Sequence, residues 1–302
     1  MDNLLNILHT TLRMTTPIAL AALGGLYAHR AGVLNVALEG MMLASAFVSV
    51  ITSYAFGNIF LAIFAGVFSS FVLGLVFSFF GITMKGNLTI VGLAINTLVG
   101  GFSAFILQTV FGQRGTFSNA RIVGMKELNI PVLKDIPILG DIFNHQTPMV
   151  YVSLLALVVI HMVLYHSKLG VYIRTVGEKE DAAYSVGLPV DRIKYTAILI
   201  GSVLCGFAGV NIALENVTMF VEEMTGGRGF IALAAIYSGR GTAIGTYLFS
   251  LLFGLADAAQ IRLQNIHIPG AFVQMIPYLS IIIVLTLIGL SKKRKKRVHD
   301  ES

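Results

Sequence analysis

Five stretches of this chain contain no Asp, Glu, Lys or Arg: residues 40–84, 86–113, 142–167, 195–214 and 263–291. A helix needs about 20 apolar residues to cross the hydrocarbon core of a bilayer, and every one of these windows supplies them. The first is 45 residues long, enough for two crossings, and Gly57–Asn58 after Tyr54 is the natural turn between them. A soluble core does not repeat this pattern five times. Only 12% of the 302 residues are charged and 56% are hydrophobic, whereas soluble domains carry about a quarter charged residues. The chain reads as an all-α, polytopic integral membrane helical bundle of about 8–10 spans, short broken or re-entrant helices included.

The start, MDNLLNILHTTLR, is amphipathic and weakly charged and lacks the basic n-region of a removable signal. Cys205 stands alone in an apolar run, where packing is its expected role. Six of the 21 basic residues form one block, Lys292 to Arg297, directly after the last apolar window. Basic residues in that place stay on the cytoplasmic side and meet anionic membrane lipid; nucleic acid is not an expected partner. The organisation is therefore a transmembrane domain over 1–291 and a basic cytoplasmic tail over 292–302.

Counting spans back from that tail, 268–290 enters from outside, while 241–263 and 191–216 both run outward. Something between 217 and 240 must return, and the only apolar material there is "GFIALAAIYSG", 229–239, about half a span. It is bracketed by "TGGRG" and "SGRGTAIG". Such a Gly-interrupted half-span survives at membrane depth only where protein or a water-filled cavity satisfies its backbone. "HRAGVLNVALEG" has the same grammar, with Gly32 and Gly40 around a short helix start that 41–56 continues. Each half of the chain thus holds one interrupted segment. The remaining spans fall at 12–28, 59–82, 88–111 and 149–165.

Two polar inserts break the apolar pattern. Residues 112–147 mix charges with apolar islands and read as an external lid. Residues 166–194 carry five basic and four acidic residues, which places them in the cytoplasm. Their core from Glu178 to Val186 reads as a short helix closed by Gly187, well placed to touch a soluble partner. No lysine follows a glycine, so a G-x-x-x-x-G-K-[ST] phosphate loop is excluded. His161 and His166 lack zinc-pair spacing, and no nucleophile elbow or paired-cysteine ligand set is present. No catalytic residue, metal or cofactor is expected, and ATP hydrolysis, if it drives transport, belongs to another chain.

"RAGVLNVALEGMML" resembles the G-x-x-N-x-x-x-E-G-x-M stretch of membrane permease subunits of bacterial ABC importers, in the branch that takes up nucleosides, simple sugars and branched-chain amino acids. Asp181-Ala182-Ala183-x-x-x-Gly187, preceded by Arg174 and Gly177, is similar to the EAA-x-x-x-G loop by which importer permeases contact their ATPase, with Asp in place of Glu. "GGRGFIALAAIYSGRGTAIGTYLFSLLFG" resembles the family's later re-entrant block, although the usual proline is absent from Gly239–Gly245. The likeness covers roughly 15–40 and 166–290, and the Asn-to-Glu-Gly wording points to nucleosides or simple sugars. It implies a multi-pass protein of a bacterial plasma membrane with three kinds of partner. These are a cytoplasmic ATP-binding subunit, a second permease subunit, homologous or identical, and an extracytoplasmic substrate-binding protein or lipoprotein. An ion-coupled secondary transporter is the rival reading, since Glu39 and Asp257 are carboxylates deep in the bundle.

Ionisable groups at membrane depth usually face a cavity or a partner. The pathway candidates are Asn35, Glu39, Asn96, Tyr237 and Asp257. Four have a structural alternative: Glu39 as a cap on backbone N–H groups, Asn35 as an anchor for a bent backbone, Asn96 as an interhelical hydrogen bond. Asp257 either pairs with Arg262 or leaves it to reach the headgroups. Glu215 meets either the cargo or the delivering protein. The Phe-rich run over 64–80 is packing or lipid-facing surface.

Overall fold

The computed structural model describes residues 2–129, 143–263, 275–286 and 289. The first helix, α1 (Asp2–Arg30), is followed by α2 (Leu38–Phe56), α3 (Ile59–Ser78) and α4 (Leu88–Phe111). After a two-residue strand β1 (Thr116–Phe117) come α5 (Pro148–His166), α6 (Lys168–Glu178), α7 (Glu180–Ser185) and α8 (Val190–Val210). A second strand, β2 (Phe220–Val221), precedes α9 (Arg228–Ser238) and α10 (Ala243–Leu263). Residues 276–286 form a short apolar helix, α11. Six of these helices are long and apolar enough to cross a membrane: α2, α3 with its π-helical extension to Thr83, α4, α5, α8 with its extension to Val217, and α10. The multi-span α-bundle expected from the charge-free windows is the fold observed, and α9 is the expected half-length segment. The tail over 292–302 and residues 130–142 lie outside the described residues, as do 268–274, 287–288 and 290 of the last span expected at 268–290.

The centre of the bundle is α1. Every residue from Thr15 to Ala28 is buried, enclosed chiefly by α8, α10 and α9. Lipid tails are as apolar as leucine, so helices in a membrane associate through close backbone approach and interhelical hydrogen bonds. Both are visible. A Cβ on Gly24 would lie 2.6 Å from the Gly201 carbonyl, and one on Gly201 would meet the Gly24 carbonyl at 2.6 Å. The buried edge of α3 repeats small residues every four positions (Ala62, Gly66, Ser70, Gly74, Ser78), one stripe of an α-helix. Along it, Ser70 Oγ donates to Ser202 O at 2.6 Å, and on α2 Ser45 Oγ donates to Gly206 O at 2.7 Å. The opposite side of α3 turns Phe60, Phe64 and Phe68 outward, the lipid-facing surface of a membrane helix.

The two polar inserts sit at opposite ends of α5. At one end, β1 pairs antiparallel with β2, Met125 N donates to Leu214 O at 2.9 Å, and Arg13 pairs with Glu127 at 3.2 Å. This small ribbon was not foreseen. At the other end, α6 and α7 pack beneath α1 and α8.

Candidate functional site

The sharpest feature of the bundle is a knot where its two interrupted segments meet. Residues 31–37 leave α1 without helical structure, and Asn35 restarts the chain: its Oδ1 accepts from Ala37 N at 3.0 Å. Asn96, on α4, braces the same restart from outside. Its Nδ2 donates to Val36 O at 3.0 Å, and its Oδ1 accepts from Gly40 N at 2.8 Å. Two glycines make this approach possible, since a Cβ on Gly40 would meet Asn96 Oδ1 at 2.8 Å and one on Gly92 would meet Val36 Cβ at 2.8 Å.

Glu39, in the first turn of α2, reaches across to the other broken segment. Its two carboxylate oxygens accept from Gly227 N at 2.8 Å and Gly229 N at 2.6 Å. These donors open α9, where the first N–H groups have no intrahelical acceptor and the helix dipole is positive. The capping geometry is therefore present, but on a helix 190 residues away. Gly229 is required there, because a Cβ would meet Glu39 N at 2.5 Å.

Behind α9, Arg228 Nη2 lies 3.2 Å from Asp257 Oδ2, and Asp257 is 5% exposed. Asp257 thus pairs with Arg228 rather than with Arg262, which is exposed. Tyr278 on α11 closes the group by donating its hydroxyl to Gly226 O at 2.7 Å. The depth of the pair follows from helix geometry. The far end of α9 meets the end of α1, where Arg30 Nε donates to Gly241 O at 2.5 Å. The 11 residues of α9 then set Arg228 about 16 Å from that end, about half the thickness of a roughly 30 Å hydrocarbon core. Tyr237, near the C-terminal end of α9, is 48% exposed and meets His29 edge-on at 4.9 Å. Four of the five pathway candidates therefore share one knot and the fifth lies apart. Arg228, Tyr278 and Gly92 were not among the candidates. Of these only Arg228 carried a signal, a cation opening an interrupted apolar segment.

Glu215 lies in the π-helical extension of α8 and is 5% exposed. Its Oε1 accepts from Met149 N at 3.0 Å and its Oε2 from Asn211 Nδ2 at 2.5 Å. It caps α5.

The insert over 166–194 forms two helices. Ser167 accepts from Gly170 N and opens α6, which buries Gly170, Ile173 and Val176. Arg174 lies over the Tyr165 ring at 5.5 Å. Gly177 touches the turn after α1 backbone to backbone: a Cβ there would meet the Arg30 carbonyl and, at 3.0 Å, Gly32 N. In α7, Asp181 and Ala182 are exposed and Ala183 is fully buried. Gly187, at φ +78°, ends the unit, and Leu188 N donates to Ala183 O at 3.1 Å. Lys194 pairs with Glu180 at 2.7 Å, which fixes α7 to the start of α8.

Comparison with known proteins places this architecture. Residues 7–285 match the family described as branched-chain amino acid transport system / permease component. TsgC13 of Haloferax volcanii, given provisionally as a glucose ABC transporter permease, is 34% identical over 87% of this chain and 79% of its own. The nucleoside ABC transporter permease NupC of Lactococcus lactis is 32% identical over 90% of this chain and 89% of its own. The guanosine ABC transporter permease NupQ of Bacillus subtilis is 32% identical over 93% and 91%. Among solved structures, PsaBC from Streptococcus pneumoniae in complex with Fab superposes with a TM-score of 0.52 at 12% identity, covering 92% of this chain and 90% of that one. That likeness is one of fold.

Proposed function

The chain belongs to the branched-chain amino acid transport system / permease component family, and from that premise we propose that it is the membrane-spanning subunit of an ATP-driven importer whose cargo is a nucleoside. The observation that carries the cargo class is the likeness to a nucleoside and a guanosine permease over nine-tenths of the chain. A simple sugar is the second reading, favoured by the 34% identity to TsgC13. Both are neutral, hydrogen-bonding solutes, which suits a bundle whose deep charges are paired or capped.

In this proposal a cytoplasmic ATP-binding subunit docks on α6 and α7, where Asp181 and Ala182 stand out while Ala183 and Gly187 hold the helix in place. Arg174 and Gly177 brace the segment against α5 and α1. Basic residues crowd the same end of the bundle (Arg30, Lys85, Lys168, Lys179, Arg192, Arg240), which supports a cytoplasmic orientation for it. The 112–147 insert then faces outward, towards the substrate-binding protein, and the C-terminus is cytoplasmic. A second permease subunit, identical or homologous, completes the path.

The test is uptake of labelled guanosine and labelled glucose in cells with and without the gene, and in vesicles holding the whole transporter. Guanosine uptake is expected to require the gene. Asp181→Lys is expected to lower uptake at least about tenfold, one factor of ten being about 1.4 kcal/mol, while the complex still hydrolyses ATP. Unchanged guanosine uptake on deletion overturns the nucleoside reading, and normal uptake by Asp181→Lys overturns the docking assignment.

A further inference from the structure

Beside the α9 N-terminus the bundle holds a polar cavity of about 190 Å³, lined by Gly226, Arg228, Ile231, Asp257, Gln260 and Tyr278 together with Pro277. Its walls come from the β2–α9 loop and from α9, α10 and α11. The larger cleft between α2, α3 and α4 is apolar. A polar hollow at mid-depth is unusual, because each unsatisfied polar group in hydrocarbon is costly and the surrounding helices close on one another elsewhere.

Asp257 is the unusual wall residue. It is nineteen-twentieths buried, yet among the described residues no donor is well aligned on its Oδ2. The 3.2 Å contact with Arg228 is an ion pair without an aligned N–H. Arg228 spends its other contacts loosely, on Met224 O and Thr225 O at 3.4 Å. A carboxylate with unused acceptor capacity and a guanidinium with unused donors thus face one small space, and Gln260 adds an amide of both kinds.

We propose that this cavity is a binding subsite for adjacent hydroxyls of a sugar ring. Asp257 accepts the hydroxyl hydrogens and Arg228 donates to a hydroxyl or ring oxygen. The charges decide the ligand class. Asp257 pairs with Arg228, and Glu39 beside them is held by Gly227 N and Gly229 N at the positive end of α9, so no uncompensated charge is left to select an ion. Among the described residues no group of three His, Cys, Asp or Glu can hold a metal ion. The volume decides the size. Sites that enclose a whole drug-sized ligand measure about 300–1,000 Å³, so this one takes a single ring and leaves the rest of a nucleoside outside. The inference rests on the importer reading. The hydroxyls belong to the ribose of a nucleoside or to a free sugar, and the experiment separates them.

Ile231→Cys supplies a reporter on the apolar side of the cavity, and the chain's own Cys205 is fully buried in the bundle. The permease with its ATP-binding subunit, in lipid nanodiscs without the binding protein, is treated with a small uncharged methanethiosulfonate. Guanosine is expected to protect the reporter at concentrations where 2′,3′-dideoxyguanosine does not. Asp257→Asn in the same background should raise the half-protecting concentration at least about tenfold, the worth of one charge-assisted hydrogen bond. If that variant fails to assemble, the guanosine comparison on Ile231→Cys in an otherwise native chain decides alone. Protection by glucose and not by guanosine supports the subsite and overturns the nucleoside cargo. Equal protection by the dideoxy compound, or none by either guanosine or glucose, overturns the subsite even where guanosine uptake depends on the gene.

Discussion

Glu39 and Glu215 perform the same task in two regions of the molecule, and the surroundings differ. Each is a carboxylate that closes the open N–H groups of a helix belonging to another part of the chain. Glu215 caps α5, a full-length span, from a fully buried position with Asn211 and the start of α1 packed around it. Glu39 caps α9, a half-length helix, from a partly exposed position beside the polar cavity. One cap has no water to replace it. The other stands beside a polar cavity of about 190 Å³, roomy enough for water. A rigid scaffold and a helix at a pathway can therefore use one chemical device, and burial determines what its loss does.

Removing the caps tests that contrast. Glu215→Ala strands the Met149 N–H and the Asn211 amide in a dry interior, at about 1–3 kcal/mol for each donor. Thermal unfolding of the purified protein should fall sharply, with little protein recovered in the membrane. Glu39→Ala strands two N–H groups as well, but water from the cavity can satisfy them. Its stability loss should stay within about 0.5–2 kcal/mol, the usual cost of a lost cap, while nucleoside uptake falls more than that loss accounts for. Equal destabilisation by both variants breaks the comparison.

Asn96→Leu should come next in size. It strips the brace from Val36 O and Gly40 N without touching either glutamate, at about 1–3 kcal/mol for a group left unsatisfied. Uptake should fall in step with stability, measured as transport per folded molecule against thermal midpoint. Uptake lost at unchanged midpoint would instead place Asn96 on the cargo. The smallest effect is expected from Tyr237→Phe, which keeps the edge contact with His29. Stability should stay within about 0.5 kcal/mol, so any fall in uptake reports contact between the hydroxyl and the cargo.

What was legible in the sequence is what local chemistry determines. Charge-free windows mark spans because lipid admits little else, so α4, and α3 and α8 with their π-helical extensions, end within a residue or two of their expected limits. Glycine marks broken helices, so α9 and the restart at Asn35 stood out. The short helix ending at Gly187 followed from turn chemistry alone. What stayed hidden is pairing across the fold. Asp257 was set against Arg262, five residues on, when its partner Arg228 comes from a different helix. Glu39 was readable as a cap, but not as the cap of α9. The β1–β2 ribbon joins two-residue strands about a hundred residues apart, too short to announce themselves by alternation. None of these contacts has a sequence signature, because each depends on how helices dock rather than on what they are.

The contact between Gly177 and the turn after α1 has a mechanical consequence. Side chains normally act as springs between elements, changing rotamer to absorb a push. Here none intervenes: the backbone of α6 rests directly on Arg30 and Gly32. Gly32 lies three residues before Asn35 and seven before Glu39, with no helix between Gly32 and Asn35 to dissipate a displacement. The joint has no slack, so any force that tilts α6 loads the root of the strut holding α9.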